Sequence, residues 1–360
     1  MKQYFQAING LRAIAALGIA AMHYRALGAL RPTSEFINTY VPFGTFFVFL
    51  FFMVSAFGMC CGYYEKIKTQ SVNFNTFYKS RYKKILPYFA LLVFIDVLAF
   101  MGGNHSIISL KSEIYEAFAD LTLCFNLLPN PYLEVMYGGW FIGVIFLFYI
   151  MFPFIVFLLD NKKRAWIVLF ITIILHLMVR DYFLTEKFVL PMEMGVGRHN
   201  IVFSFCFLVA GGIVYLYKNQ IQYFFKNKTS VCVLLVILLV TTSLSIYKCE
   251  TIDVLLLIPL FSLWIMYAMT KGVSIMGHRF LNNRVMKFLG GISMEIYLTH
   301  MMILRGLEYL HLERYITDGN IFYIVTYCIG MVLTILFAFV VKTYIFPALG
   351  IMFYKIINKN

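Results

Sequence analysis

The chain has 360 residues, of which 61% are hydrophobic and only 13% charged, with a mean hydropathy of +0.81 and a formal net charge of +13. Soluble domains are roughly half apolar and a quarter charged, so a water-soluble globular protein is excluded: no core absorbs that much apolar surface. The basic excess is spread over several short connectors, where membrane topology and anionic lipid account for it, which argues against a nucleic-acid partner.

Apolar stretches at 41–61, 139–159, 230–247 and 321–341 are long enough to cross a bilayer core. In hydrocarbon every backbone amide must be satisfied within its own segment, which makes such stretches helices. In chain order the sequence predicts helices near residues 8–29, 41–62, 85–101, 137–159, 165–182, 201–217, 230–247, 253–270, 288–308 and 321–346. The first is not a cleaved signal peptide, because Arg12 interrupts it and Ala13, Ala15, Ala16, Gly18, Ala20 and Ala21 read as a closely packed transmembrane helix. The expected fold is therefore an all-α membrane protein, a polytopic bundle of about ten transmembrane helices forming a single domain over 1–360.

Charge sets the expected orientation. Basic residues collect in four connectors: Lys66, Lys68, Lys79, Arg81, Lys83 and Lys84; Lys162, Lys163 and Arg164; Lys218, Lys226 and Lys228; Lys271, Arg279, Arg284 and Lys287. These share one side with Lys2, Lys355 and Lys359, which places both termini in the cytoplasm. Acids such as Glu116, Glu193 and Asp318 fall on the opposite side, whose longest loops are 102–136 and 183–200. Tyr115, Phe118 and Tyr137 suit a sugar-like acceptor arriving from outside, although anchoring aromatics explain them equally well. Seven cysteines occur without CxxC spacing, so neither a metal site nor a redox pair is expected.

Ionisable residues inside membrane helices are costly and mark functional sites. Arg12 and His23 are eleven residues apart, which brings them within roughly 20° of one helical face and about 16 Å apart along it. His removes a hydroxyl proton near neutral pH, while Arg holds a phosphate or polarises a carbonyl. The competing reading is an arginine reaching the headgroups and a histidine bonding between helices. Ser293, Tyr297 and His300 form a second polar stripe at i, i+4 and i+7, for which helix packing is the alternative. Asp96 and Glu295 are buried acids with no assignable partner. The segment FYKSRYKKILPY at 77–88 is expected as a basic loop entering a helix near Pro87, its cations holding phosphates or simply marking the inner face.

Together these motifs resemble the acyltransferase 3 family of integral membrane acyltransferases. Arg12 and His23 in INGLRAIAALGIAAMHY are similar to its opening signature; Ser55 lies in FFMVSAFGM, with Ala56 where Gly is usual; SRYKKILPY places Arg81 and Lys84 at largely basic positions, with Ser80 replacing a third. Trp140, Tyr149 and Pro153 in WFIGVIFLFYIMFP resemble the fourth-helix pattern, with Ile145 where many members carry an acid or amide, and GGISMEIYLTH ends in His300.

The resemblance implies an O-acyltransferase, most simply an O-acetyltransferase, of the bacterial cytoplasmic membrane. It would carry an acyl group from cytoplasmic acyl-CoA, a substrate and not a bound cofactor, to a hydroxyl of a surface or lipid-linked carbohydrate. His23 and Arg12 would be catalytic, Arg81 and Lys84 would bind the donor, and Ser55, Trp140, Tyr149, Ser293, Tyr297 and His300 would line the cavity. A transporter or flippase of a lipid-linked sugar is the alternative. Any hydrolase-like extracytoplasmic activity is expected to come from another protein, and the oligomeric state is left open, a homo-oligomer included.

Overall fold

The computed structural model describes residues 5–103, 106–127, 137–183, 199–270 and 276–347. Lys2, Glu193, Lys271, Lys355, Lys359 and most of the 183–200 loop lie outside them. Among the described residues all regular structure is helical, with no strand. The α-helices are α1 (Ala7–Leu27), α2 (Glu35–Tyr40), α3 (Phe47–Met59), α4 (Glu65–Lys68), α5 (Phe74–Met101), α6 (Ile107–Thr122), α7 (Trp140–Leu159), α8 (Lys162–Met178), α9 (Ile201–Leu216), α10 (Lys218–Phe224), α11 (Lys228–Tyr247), α12 (Leu257–Met269), α13 (Met276–Leu281), α14 (Arg284–Gly291), α15 (Ser293–Glu308) and α16 (Gly319–Val340).

Helix α1 occupies the middle of the bundle, and its small residues are what allow it. Ala13, Ala15, Ala16 and Ala20 are fully buried. A Cβ on Gly44 would fall inside the Gly18 carbonyl, and one on Gly290 inside the Asn9 carbonyl, so backbone meets backbone on two sides of α1. Glycine serves α3 and α9 likewise, where Gly211 lies against the Met53 carbonyl beside the stacked rings of Phe49 and Phe207, 4.4 Å apart.

Five described helical runs are long and apolar enough to cross a membrane: Glu35–Lys68, Phe74–Met101, Trp140–Leu159, Lys228–Tyr247 and Gly319–Ile345. A sixth arises if Ile201–Leu216 and Lys218–Phe224, bent by 61°, count as one span. The ten expected spans are thus matched in part. Glu35–Lys68 joins α2 to α4 through short 3₁₀ and π segments, so the second expected helix starts earlier and ends later than 41–62.

Three expectations are corrected. The basic segment 77–88 is not a loop leading to a helix at Pro87: α5 begins at Phe74, where the Asn73 side chain accepts a hydrogen bond from the Asn75 amide at 2.8 Å, and Pro87 sits inside it. Good helix formers on both sides and an effective N-cap outweigh the one backbone bond that proline removes. The expected outer loop 102–136 contains α6, capped by Ser106. This helix is amphipathic, with Ala117 and Asp120 buried and Ile114, Tyr115 and Phe118 exposed. The helix expected at 288–308 is in turn divided at Ile292 into α14 and α15.

Contacts at the helix ends show that the long helices alternate in direction. At one end the side chain of Trp166 donates to the Tyr217 hydroxyl at 3.0 Å, Gln222 donates to the Met269 carbonyl at 3.2 Å, and a hydrogen bond from Lys68 holds the Asp160 carboxyl below the usual carboxylate range. At the other, Arg180 pairs with Asp253 at 2.8 Å, and the Asn320 side-chain oxygen accepts from the Thr33 and Ser34 amides. Single cysteines at positions 163 and 313, in a cysteine-free background, are therefore expected to react with an impermeant thiol reagent from opposite faces of sealed vesicles. Labelling of both from one face would refute this alternation.

Candidate active site

A cavity of about 1000 Å³ opens among α1, α3, α5, α7, the α14–α15 junction and the end of α16. Seven of the ten candidate residues line it: Arg12, Ser55, Arg81, Lys84, Tyr149, Ser293 and Tyr297. His23, His300 and Trp140 are not on its wall. Trp140 instead opens α7 and stacks on His199 at 4.7 Å and 11°, while the Asn126 side-chain amide donates to the carbonyls of both residues.

The wall carries five cations, Arg12, Arg81, Lys83, Lys84 and Lys342, against one carboxylate, Glu295. Each is set by its own surroundings. Arg12 projects from α1 toward α3, where Gly58 makes room: a Cβ there would lie 2.6 Å from its guanidinium nitrogen. Arg81, two turns into α5, donates to the Tyr63 hydroxyl at 3.0 Å. Its guanidinium also lies over the rings of Tyr63 and Tyr149, at 4.8 and 5.7 Å, an arrangement favourable to a cation through the ring quadrupole. Lys342 donates to Glu295 at 2.7 Å and to the Gly291 carbonyl at 2.9 Å. Glu295 itself sits in the first turn of α15, where the helix dipole favours a negative charge.

The polar stripe of α15 runs outward from this cluster. Ser293 donates to the Gly290 carbonyl at 3.0 Å, Tyr297 to the Gly138 carbonyl at 3.2 Å, and His300 follows, its ring centroid 5.8 Å from that of Tyr297. Nδ1 of His23 lies 2.9 Å from Nε2 of His300. The two candidate histidines, 277 residues apart in sequence, thus form one pair just beyond the cavity wall at Tyr297. Tyr137 sets its ring edge-on to His23 at 6.3 Å, with Arg305 5.6 Å above that same ring.

Both acids that lacked a partner in the sequence have one. Glu295 pairs with Lys342, and Asp96 with Arg305 at 3.8 Å. Sequence reasoning missed Lys342, Tyr63 and Gly58. Lys342 was within reach, because it is an ionisable residue inside the last apolar run and the cost of burying charge flags it; nothing in the sequence ties Tyr63 or Gly58 to a guanidinium.

The family model of the acyltransferase 3 group, described as an acyltransferase domain, matches residues 5–343. The chain belongs to this family. The matched span includes every residue of the cavity except Phe346, and together with the apolar helices it makes the protein a membrane acyltransferase. No curated protein and no solved structure matches the chain.

Gly58 offers a direct probe of Arg12. Gly58→Ala is expected to leave thermal stability in detergent unchanged or slightly raised, since alanine suits a helix interior better than glycine. By displacing the guanidinium it should lower acyl transfer by up to about 10²-fold. Unaltered turnover would mean that the present position of Arg12 is not required.

Proposed function

We propose that this acyltransferase is an O-acyltransferase, and more narrowly an O-acetyltransferase, of the bacterial cytoplasmic membrane, taking its acyl group from cytoplasmic acyl-CoA and delivering it to a hydroxyl of a surface or lipid-linked carbohydrate. The observation that carries the reading is the cavity whose wall holds five cations and one carboxylate. A phosphate-rich donor offsets that excess of positive charge, and a neutral substrate does not. On this reading the basic end of the bundle faces the cytoplasm with both termini, and the apolar helices that fall short by length or composition, α1 and α15 among them, cross the membrane as well to give ten spans.

Arg81 and Lys84 hold donor phosphates, Arg81 through its planar fork and Lys84 as a point charge. Arg12, about 16 Å before His23 along α1, orients the donor as its pantetheine arm passes toward His23, where the thioester is presented. His23 takes the proton of the acceptor hydroxyl while that oxygen bonds to the thioester carbon. The carbon–sulfur bond then breaks, the CoA thiolate leaves, and the proton passes from His23 to sulfur, so that an ester and a free thiol replace the hydroxyl and the thioester. Ser55, Tyr149, Ser293 and Tyr297 shape the path. On the acceptor side, the exposed Tyr115 and Phe118 of α6 give rings on which sugar faces can stack.

Purified protein in lipid nanodiscs, incubated with radiolabelled acetyl-CoA with and without a glycan acceptor, tests the reading. Acceptor-dependent release of CoA supports it, and no release from any acyl-CoA would overturn it, as would be the case for a flippase. Replacing Arg81 and Lys84 together by Ala is expected to raise the donor KM more than it lowers kcat, because these residues meet a part of CoA that does not react. His23→Ala should do the reverse, lowering kcat by about 10² to 10⁴ with donor binding retained.

A further inference from the structure

We propose that His300 is a positioning residue that fixes the tautomer of His23 and thereby selects which of its nitrogens acts as base; this rests on the reading of His23 as the general base. The hydrogen bonds of the pair carry the assignment. Nδ1 of His300 lies 3.2 Å from the Ile296 carbonyl oxygen, one turn back on α15. A carbonyl only accepts, so this nitrogen bears a proton. A second proton on Nε2 would make His300 an imidazolium at 1% exposure, which burial disfavours. Nε2 therefore carries the lone pair, and the atom facing it at 2.9 Å, Nδ1 of His23, must donate. His23 consequently keeps its own lone pair on Nε2, the nitrogen turned away from His300.

This outcome differs from what an isolated imidazole does, since the neutral histidine side chain in water favours the proton on Nε2. Without an acceptor at Nδ1, His23 would revert to a form that presents an N–H where a base needs a lone pair. The two roles are not interchangeable: His300 is fully buried, whereas His23 is half-buried. The acceptor is also held firmly. Tyr24 of α1 reaches the His300 carbonyl at 3.5 Å, and the Tyr88 and Thr299 hydroxyls join α5 to α15 at 2.6 Å, one residue away. The rings of the pair lie 5.1 Å apart at 23°, close to parallel, so the direction of the His23 Nε2 lone pair follows from the placement of α15.

The test compares His300→Leu, which removes the acceptor, with His300→Gln, whose side-chain oxygen can stand where Nε2 stood. The Leu variant is expected to lose about 10² to 10⁴ in kcat with the donor KM unchanged, and the Gln variant to recover to within about tenfold of the parent. Nitrogen-15 NMR of histidine-labelled protein in nanodiscs, with the His23 signals assigned through His23→Ala, reads the tautomer itself: Nδ1-protonated in the parent and the Gln variant, Nε2-protonated in the Leu variant. A purely structural His300 would leave that signature unmoved. Should the Leu variant fail to fold, the parent spectrum and the Gln variant decide. A parent His23 protonated on Nε2, an unchanged tautomer in the Leu variant, or full turnover by that variant alongside an inactive His23→Ala protein would overturn this proposal alone. Full turnover by His23→Ala would overturn the general-base reading beneath it.

Discussion

Close backbone packing of α1 is the constraint on which the rest of this structure depends. With Gly44 against the Gly18 carbonyl and Gly290 against that of Asn9, α1 is gripped on opposite sides at van der Waals distance, and its alanines leave no space to fill. Such contact holds helices together in an apolar solvent, where the hydrophobic effect does not drive association. It also fixes the rotation of α1 about its axis, which settles where Arg12 and His23 go. Arg12 reaches the cavity through the gap at Gly58, and His23, further along the same helix, reaches α15 at His300. An α1 free to rotate by a fraction of a turn would place neither.

The second organising influence is charge. Gathering cations around one cavity in a low-dielectric bundle is unfavourable through mutual repulsion as well as desolvation. The protein answers differently at each: Lys342 is matched by Glu295 at the N-terminus of α15, and Arg81 lies over the rings of Tyr63 and Tyr149 and donates to the Tyr63 hydroxyl. What remains is an excess of positive charge on one wall, a field most favourably met by an anionic occupant. On the proposed reading a donor phosphate is that occupant, and the stability forgone in assembling the cavity is returned on binding.

Much of this was legible in the sequence because the signals were periodic or expensive. Apolar runs at membrane length announced the helices, Arg12, His23 and His300 stood out because charge and imidazole are rare in such runs, and Arg81 and Lys84 stood out as a basic cluster before Pro87. The misread parts were those where a local rule lost to its context. Pro87 argued for a helix start, but the propensity of the residues before it and the cap at Asn73 carried α5 straight through. The stretch holding α6 mixes acids with aromatics and looked like a loop, although its apolar residues recur at helical spacing. The pairing of His23 with His300 was beyond reach for a different reason: it joins residues 277 positions apart, and a single sequence carries no information on which of two polar helix faces meet.

The arrangement around Tyr297 shows how the two halves of the site relate. The cationic cavity ends on its ring, which lies 4.9 Å from Phe141 and 6.1 Å from Phe51, and the histidine pair begins directly behind it. The ring is pinned by its hydroxyl to the carbonyl of Gly138, whose φ of +88° is a conformation that side chains other than hydrogen rarely tolerate. On the proposed reading the donor phosphates stay on the cavity side of this aromatic layer, and the pantetheine arm passes it to present the thioester to His23. A thioester held beside a base that water reaches freely would be hydrolysed without acceptor, whereas a layer that excludes water favours transfer to a bound hydroxyl. Tyr297 fits this position better than phenylalanine would: its hydroxyl anchors the layer to the start of α7, while its ring stays apolar toward the thioester. The glycine at 138 and the tyrosine at 297 are in this sense one device, and the backbone conformation of the first is what gives the second its fixed place.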